Sequence, residues 1–181
     1  MNKKILLIIT LCCLLFSMTS CKNKGEIMEN YPSLDKNHVY KEIDVFDLEK
    51  KINAKDDFYL LMGFPMCPWC QAIIDVIDDV ARDNKIKTVY YIDIKDIRDE
   101  DFIEGYTEFH NLANSVFKDA IDTEKNRINA PTFVKIVNGE MVAYHLNTVS
   151  SHVMNENMVL PPLTDEEKSE LKDILNNIIN A

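Results

Sequence analysis

The chain has 181 residues, a formal net charge of −10, 46% hydrophobic and 28% charged residues. That is enough chain for one domain with a core of its own, in the composition of a globular protein. The acidity argues against nucleic acid as a partner and against an electrostatic hold on anionic lipid, and reads mainly as a solvated surface.

The first twenty residues stand apart. Lys3 and Lys4 form a basic start, residues 5–16 are apolar, and Ser17-Met18-Thr19-Ser20 is small and mostly polar. This reads as a secretory signal peptide over 1–20, too short for a comfortable membrane span. Met18-Thr19-Ser20-Cys21 resembles the lipobox of bacterial lipoproteins, although leucine is commoner than methionine at its first position. The resemblance implies cleavage before Cys21 and a diacylglyceryl group on its sulfur, and several acyl chains anchor far better than one. The plainer alternative is an ordinary secretion signal with Cys21 incidental. Residues 21–38 are polar, with Gly25, Pro32, Ser33 and several asparagines, and read as a flexible tether.

Residues 39–181 form one domain in this reading, with no internal repeat. Residues 39–43 suit a short edge strand. Asp44 suits an N-cap, and Val45, Phe46, Leu48 and Ile52 fall at helical spacing, which predicts a helix to Asn53. The apolar run 58–64 suits a central buried strand. A helix follows the Cys-x-x-Cys stretch over 72–84. Its Ile73, Ile74, Val76, Ile77 and Val80 face the core, and Asp75, Asp78, Asp79 and Arg82 face water. Residues 88–94 are β-branched and aromatic and read as a strand. Residues 95–129 are charged and mostly helical in pattern, with an apolar stripe from Phe102 to Ile121. Residues 132–137 and 140–146 form a hairpin around Asn138-Gly139. Residues 147–162 are a loop. Thr164 with Glu167 is a capping box that opens a closing helix striped by Leu171, Ile174, Leu175 and Ile178.

The chemistry centres on Phe64-Pro65-Met66-Cys67-Pro68-Trp69-Cys70-Gln71. Of the five cysteines, Cys12 and Cys13 leave with the signal and Cys21 is the lipid site, so the domain keeps Cys67 and Cys70. One close pair in an exported protein is not a disulfide-stapled scaffold. A thiol at the mouth of a helix meets outward-pointing amides and a favourable dipole, and both lower its pKa. Cys67 is therefore read as the attacking thiolate and Cys70, a turn further in, as the resolving thiol. Pro68 suits the first helical turn. Trp69 is expected to lie exposed beside the thiols as substrate surface, or alternatively to shield the helix start. Two other readings of the pair remain. A zinc site needs two further ligands, and only His38, His110, His145 and His152 are available. A structural disulfide without turnover needs nothing more.

The order of elements, Cys67-Pro68-Trp69-Cys70 and Ala130-Pro131-Thr132 before the next strand together resemble the thioredoxin-like superfamily. The resemblance implies an α/β thioredoxin fold: a central mixed β-sheet flanked by helices, with a helical insertion before the strand that follows Pro131. It implies a cis bond before Pro131 and an Ala130 backbone that pairs with an incoming substrate strand. The proline after the first cysteine is more like glutaredoxins and exported disulfide oxidases than thioredoxin itself. A short exported Cys-Pro-x-Cys domain also resembles the bacteriocin-transport accessory proteins of Gram-positive bacteria. Thioredoxin carries a buried acid six residues before its first cysteine, and Leu61 stands there. The function implied is an extracytoplasmic, membrane-anchored thiol–disulfide oxidoreductase acting on protein thiols and disulfides. It would need no cofactor or metal, and a membrane redox partner would supply or remove electrons. The rival is a thioredoxin-fold binding module that assists peptide export without turnover.

Overall fold

The computed structural model describes residues 24–181. The signal peptide over 1–20 and the lipid site Cys21 lie outside the described residues. The elements in order are α1 (Lys24–Asn30), β1 (Tyr40–Glu42), α2 (Val45–Asn53), β2 (Phe58–Gly63), α3 (Pro68–Asp83), β3 (Val89–Asp93), α4 (Lys95–Asp99) and α5 (Tyr106–Ser115). A 3₁₀ turn (Lys118–Ala120) leads to β4 (Ile121–Asp122), β5 (Arg127–Ile128), β6 (Thr132–Val137), β7 (Glu140–Leu146) and α6 (Asp165–Asn180).

Five strands form one mixed sheet in the order β1-β3-β2-β6-β7. β3 pairs parallel with both β1 and β2. β6 pairs antiparallel with β2 and with β7. Strand order, mixed pairing and flanking helices make this a thioredoxin fold. Period-2 alternation sends Leu61, Tyr91 and Phe133 to one face, against α3 and α6. Leu60, Met62, Ile92 and Val134 go to the other, against α2 and α5. β2 is therefore apolar on both faces, as a central strand must be.

Local chemistry sets the boundaries. Asp44 caps α2 by accepting from the Asp47 amide at 2.8 Å. Thr164 and Glu167 make both bonds of the capping box on α6, at 3.2 and 2.9 Å. Asn138 and Gly139 both have positive φ, as a two-residue hairpin turn requires. Gly139 has a second reason to lack a side chain: a Cβ there would collide with the Ile52 carbonyl oxygen.

Three expectations are corrected. Residues 24–38 are not a free tether. α1 leads into a segment whose Ile27, Tyr31 and Leu34 are buried in the core on the α3 side. Apolar residues spaced four and three apart carried this signal within a polar composition. Asp78 does not face water; it is buried, accepts from the Val39 amide at 2.8 Å and pairs with Arg82 at 3.0 Å. Burial there satisfies the otherwise open amide that leads into β1. The 95–129 stretch is helical only as far as the 3₁₀ turn. Its end is the β4–β5 hairpin, closed where Asp122 accepts from the Glu124 and Lys125 amides at 2.9 and 3.0 Å and where Asn126 takes a positive φ. Phe102, placed in the apolar stripe, is 78% exposed.

Candidate active site

The site forms where β2 gives way to α3. Helix α3 begins at Pro68, earlier than the predicted 72, with Cys67 as its N-cap residue and no side chain satisfying the first amides. A proline in the first turn has no amide to leave open, and its fixed φ suits the helix. Cys67 and Cys70 are free thiols. Cys67 is 5% exposed and Cys70 is fully buried.

The two thiols are pushed apart in acidity. Cys67 is lowered to about 7, chiefly by the hydrogen bond from the Cys70 thiol. The Cys70 and Trp69 amides at the helix start and the Arg98 guanidinium add to this, against the opposing effect of burial. Cys70 is raised, first by burial and then by the neighbouring Cys67 sulfur. One thiol is thus a nucleophile near neutral pH, and the other stays protonated until something takes its proton.

Opposite the helix mouth, the Ala130–Pro131 bond is cis. The Cys67 thiol donates to the Ala130 carbonyl at 3.4 Å. Pro131 is buried and Ala130 half-buried. A cleft of about 980 Å³ opens here, with Cys67, Pro68, Trp69 and Ala130 in its wall. The structure therefore brings together Cys67, Pro68, Trp69, Cys70, Ala130 and Pro131. Trp69, expected either exposed beside the thiols or shielding the helix start, lines the cleft and is half-buried against the core. Met66 projects at the rim, 80% exposed.

Residues that sequence reasoning did not assign complete the site. Arg98 is buried, lines the same cleft and lies 5.4 Å from the Phe64 ring centroid. Its guanidinium donates to Asp99 at 2.9 and 2.6 Å and to the Ile128 carbonyl at 3.3 Å. The bonds to Asp99 lower its carboxyl, and the bond to Ile128 ties α4 to the hairpin just before Ala130. Nothing in the run Lys95 to Asp99 distinguishes this cation from its charged neighbours. Gly63 faces the thiols: a Cβ there would lie 3.1 Å from the Cys70 sulfur. Behind Cys70, the Tyr31 and Tyr91 hydroxyls meet at 2.9 Å. Gln71 then fastens the N-terminal segment to the site loop by donating to the Asn30 carbonyl at 2.9 Å and the Pro65 carbonyl at 2.8 Å.

The histidines weighed as zinc ligands are otherwise engaged. His145 bonds the Thr148 carbonyl at 2.7 Å, and His152 bonds the Thr148 hydroxyl and the Pro161 carbonyl, both at 2.8 Å. They pin the loop after β7. Among the described residues, no three His, Cys, Asp or Glu side chains converge as a metal site. Among the same residues, no helix is long and apolar enough to cross a membrane.

No protein-family model matches the chain, and no curated protein matches it. Among solved structures, it is similar to thioredoxin NaTrxh from Nicotiana alata, at 13% identity over 64% of this chain and 86% of that one, with a TM-score of 0.42. It is also similar to thioredoxin O2 from Arabidopsis thaliana in the oxidized state, at 14% identity over 78% of this chain and 95% of that one, with a TM-score of 0.41. The class defined by strand order and site is a thioredoxin-fold protein with an adjacent cysteine pair.

Proposed function

We infer that the protein is a thiol–disulfide oxidoreductase acting on the thiols and disulfides of other proteins. The observation that carries this reading is the pairing of unlike thiols at one cleft. Cys67, lowered to about 7, opens on the cleft beside Ala130, with a buried, protonated Cys70 behind it. Cys67 thiolate attacks a substrate disulfide and forms a mixed disulfide. Cys70 then attacks the Cys67 sulfur, closes the Cys67–Cys70 disulfide and releases the substrate thiol. Run backwards, the same steps oxidise a substrate dithiol. Trp69 and the Ala130 backbone flank the substrate strand, and Arg98 helps hold charge on Cys67. The resemblance of the N-terminal sequence to a lipoprotein signal supports a location outside the cytoplasm, with an anchor through lipid on Cys21 and a redox partner in or at the membrane.

The test is the reduction potential of the Cys67–Cys70 couple, measured by equilibration against glutathione or dithiothreitol. A reversible couple between about −270 and −120 mV is expected. The oxidising end would mark a donor of disulfides, and the reducing end a reductase that needs electrons from across the membrane. If no reversible couple forms, the enzyme reading fails and the binding-module reading takes its place.

A further inference from the structure

Resolution of the mixed disulfide poses a problem that the front of the site does not solve. To attack, Cys70 must lose its proton, yet it is fully buried. At that moment Cys67 is bonded to the substrate and cannot accept the proton, and the substrate occupies the cleft. The acceptor must therefore stand behind Cys70.

Among the described residues, few groups are there. The Tyr31 and Tyr91 hydroxyls bond each other, and burial raises both phenols, so they stay neutral. Leu61, next to Tyr91 in register, offers no polar atom. The remaining group among these residues is Asp93. It pairs in register with Gly63 on a parallel strand, so its side chain leaves the sheet on the face where a Gly63 Cβ would meet the Cys70 sulfur at 3.1 Å. Adjacent strands lie about 4.8 Å apart, and the Asp93 charge reaches the thiol, adding to what raises Cys70. Its other side is wet. A second cleft of about 610 Å³, separate from the substrate cleft, is lined by Asp93, Tyr91, Pro65 and Asn30.

Resting on the oxidoreductase reading, we propose that Asp93 is the base that takes the Cys70 proton during resolution and passes it to water in this second cleft. The proton leaves Cys70 sulfur for the Asp93 carboxylate. The Cys70 electron pair then forms the bond to Cys67 sulfur as the Cys67–substrate S–S bond breaks, and that bond's pair leaves on the substrate thiolate. Asp93 is exposed on the cleft side, yet the desolvation of its sheet-facing side raises the carboxyl and suits it to accepting a proton. The charges around it are mixed. Lys95 and Arg98 favour its anion, Asp96 disfavours it, and Glu42, Asp44 and Glu104 line the same cleft. The Cys70, Tyr31 and Tyr91 groups face it from α3, the N-terminal segment and β3.

The experiment uses reduced protein and the aromatic disulfide dithiobis(nitrobenzoate), which releases one coloured thiolate as Cys67 attacks and a second as Cys70 resolves. In Asp93→Asn the retained Oδ1 still accepts from the Lys95 amide, a 2.9 Å bond in the native protein, so the turn into α4 is kept. The expected result is a first phase at the wild-type rate and a second phase slowed ~10²-fold at neutral pH, the usual worth of a general base. The wild-type second phase should fall on the acid side as Asp93 protonates. The variant's should lose that limb and rise with hydroxide, and Asp93→Glu should restore much of the rate. An unchanged second phase, or equal slowing of both phases, overturns the proposal while leaving the oxidoreductase reading in place. Wild-type protein that releases only one equivalent overturns both.

Discussion

The two sides of the Cys67–Cys70 turn are built on opposite principles. The front is open and charged. It has a cleft of about 980 Å³, an Ala130 carbonyl 3.4 Å from Cys67, and the Arg98–Asp99 pair tying the insertion to the hairpin. The back is packed and neutral where it meets the sulfur, with fully buried Tyr31 against Tyr91, Leu61, and a Gly63 whose missing side chain leaves room for sulfur, and it opens to the second, acidic cleft at Asp93. Stabilising a thiolate needs donors, cations and partial access to solvent; keeping a thiol protonated needs burial. Only two residues separate the cysteines, so sequence distance cannot create the difference. The walls create it, and each wall comes from a different part of the chain: the front from 95–131 with the loop after β7 and α6, the back from β2, β3 and the segment after α1.

The back wall is the more costly to break. Tyr31→Ala removes a fully buried ring and the hydroxyl bonded to Tyr91 at 2.9 Å. A loss of about 3–5 kcal/mol is expected, the range for truncating a buried aromatic residue, read as a lower midpoint in urea. A change within about 0.5 kcal/mol would mean that the segment after α1 contributes nothing to the fold. Gly63→Ala tests the same wall from the sheet side with a smaller effect. Its Cβ would stand 3.1 Å from the Cys70 sulfur, tighter than ordinary contact. Overpacking of this kind costs about 1–3 kcal/mol, and it should weigh more on the reduced protein, where Cys70 keeps its inward position. Equal stability of variant and wild type in both redox states would show that the wall yields freely.

These walls also separate what the sequence makes legible from what it hides. The thioredoxin fold, the hairpin at Asn138-Gly139, the capping box at Thr164 and the cis bond before Pro131 all rest on local chemistry or on a motif. Such features survive without knowledge of neighbours. Tyr31, Asp93 and Arg98 escaped assignment, and Asp78 was set on the wrong face, because the role of each depends on a partner 31 to 60 residues away or on an adjacent strand. Composition averaged over 21–38 reads as a tether, yet Ile27, Tyr31 and Leu34 are enough to dock it. The hairpin within 95–129 was hidden for a related reason: two-residue strands carry no detectable period, and only the Asp122 turn marks them.

The smallest expected effect sharpens the contrast between the thiols themselves. The largest cause holding Cys67 down is the hydrogen bond from Cys70, ahead of the helix-start amides and Arg98. In Cys70→Ala that donor is gone, so Cys67 should titrate above the wild-type value of about 7, followed by ultraviolet thiolate absorbance. The same shift governs stability against pH. A thiol whose folded pKa is lowered contributes stability that is fully present above its unfolded pKa, about 8.5, and lost as pH falls through about 7. Reduced wild type, compared with its oxidised form, should therefore gain on the order of 1–2 kcal/mol as pH rises across that window. The raised Cys70 acts with the opposite sign: its contribution is present below the ordinary thiol pKa and is lost at higher pH, so the gain should level off and reverse. Cys70→Ala should flatten both limbs. A variant that still titrates near 7 would assign the acidity of Cys67 to the amides and Arg98 alone, and would make the back of the site a matter of fold and not of charge.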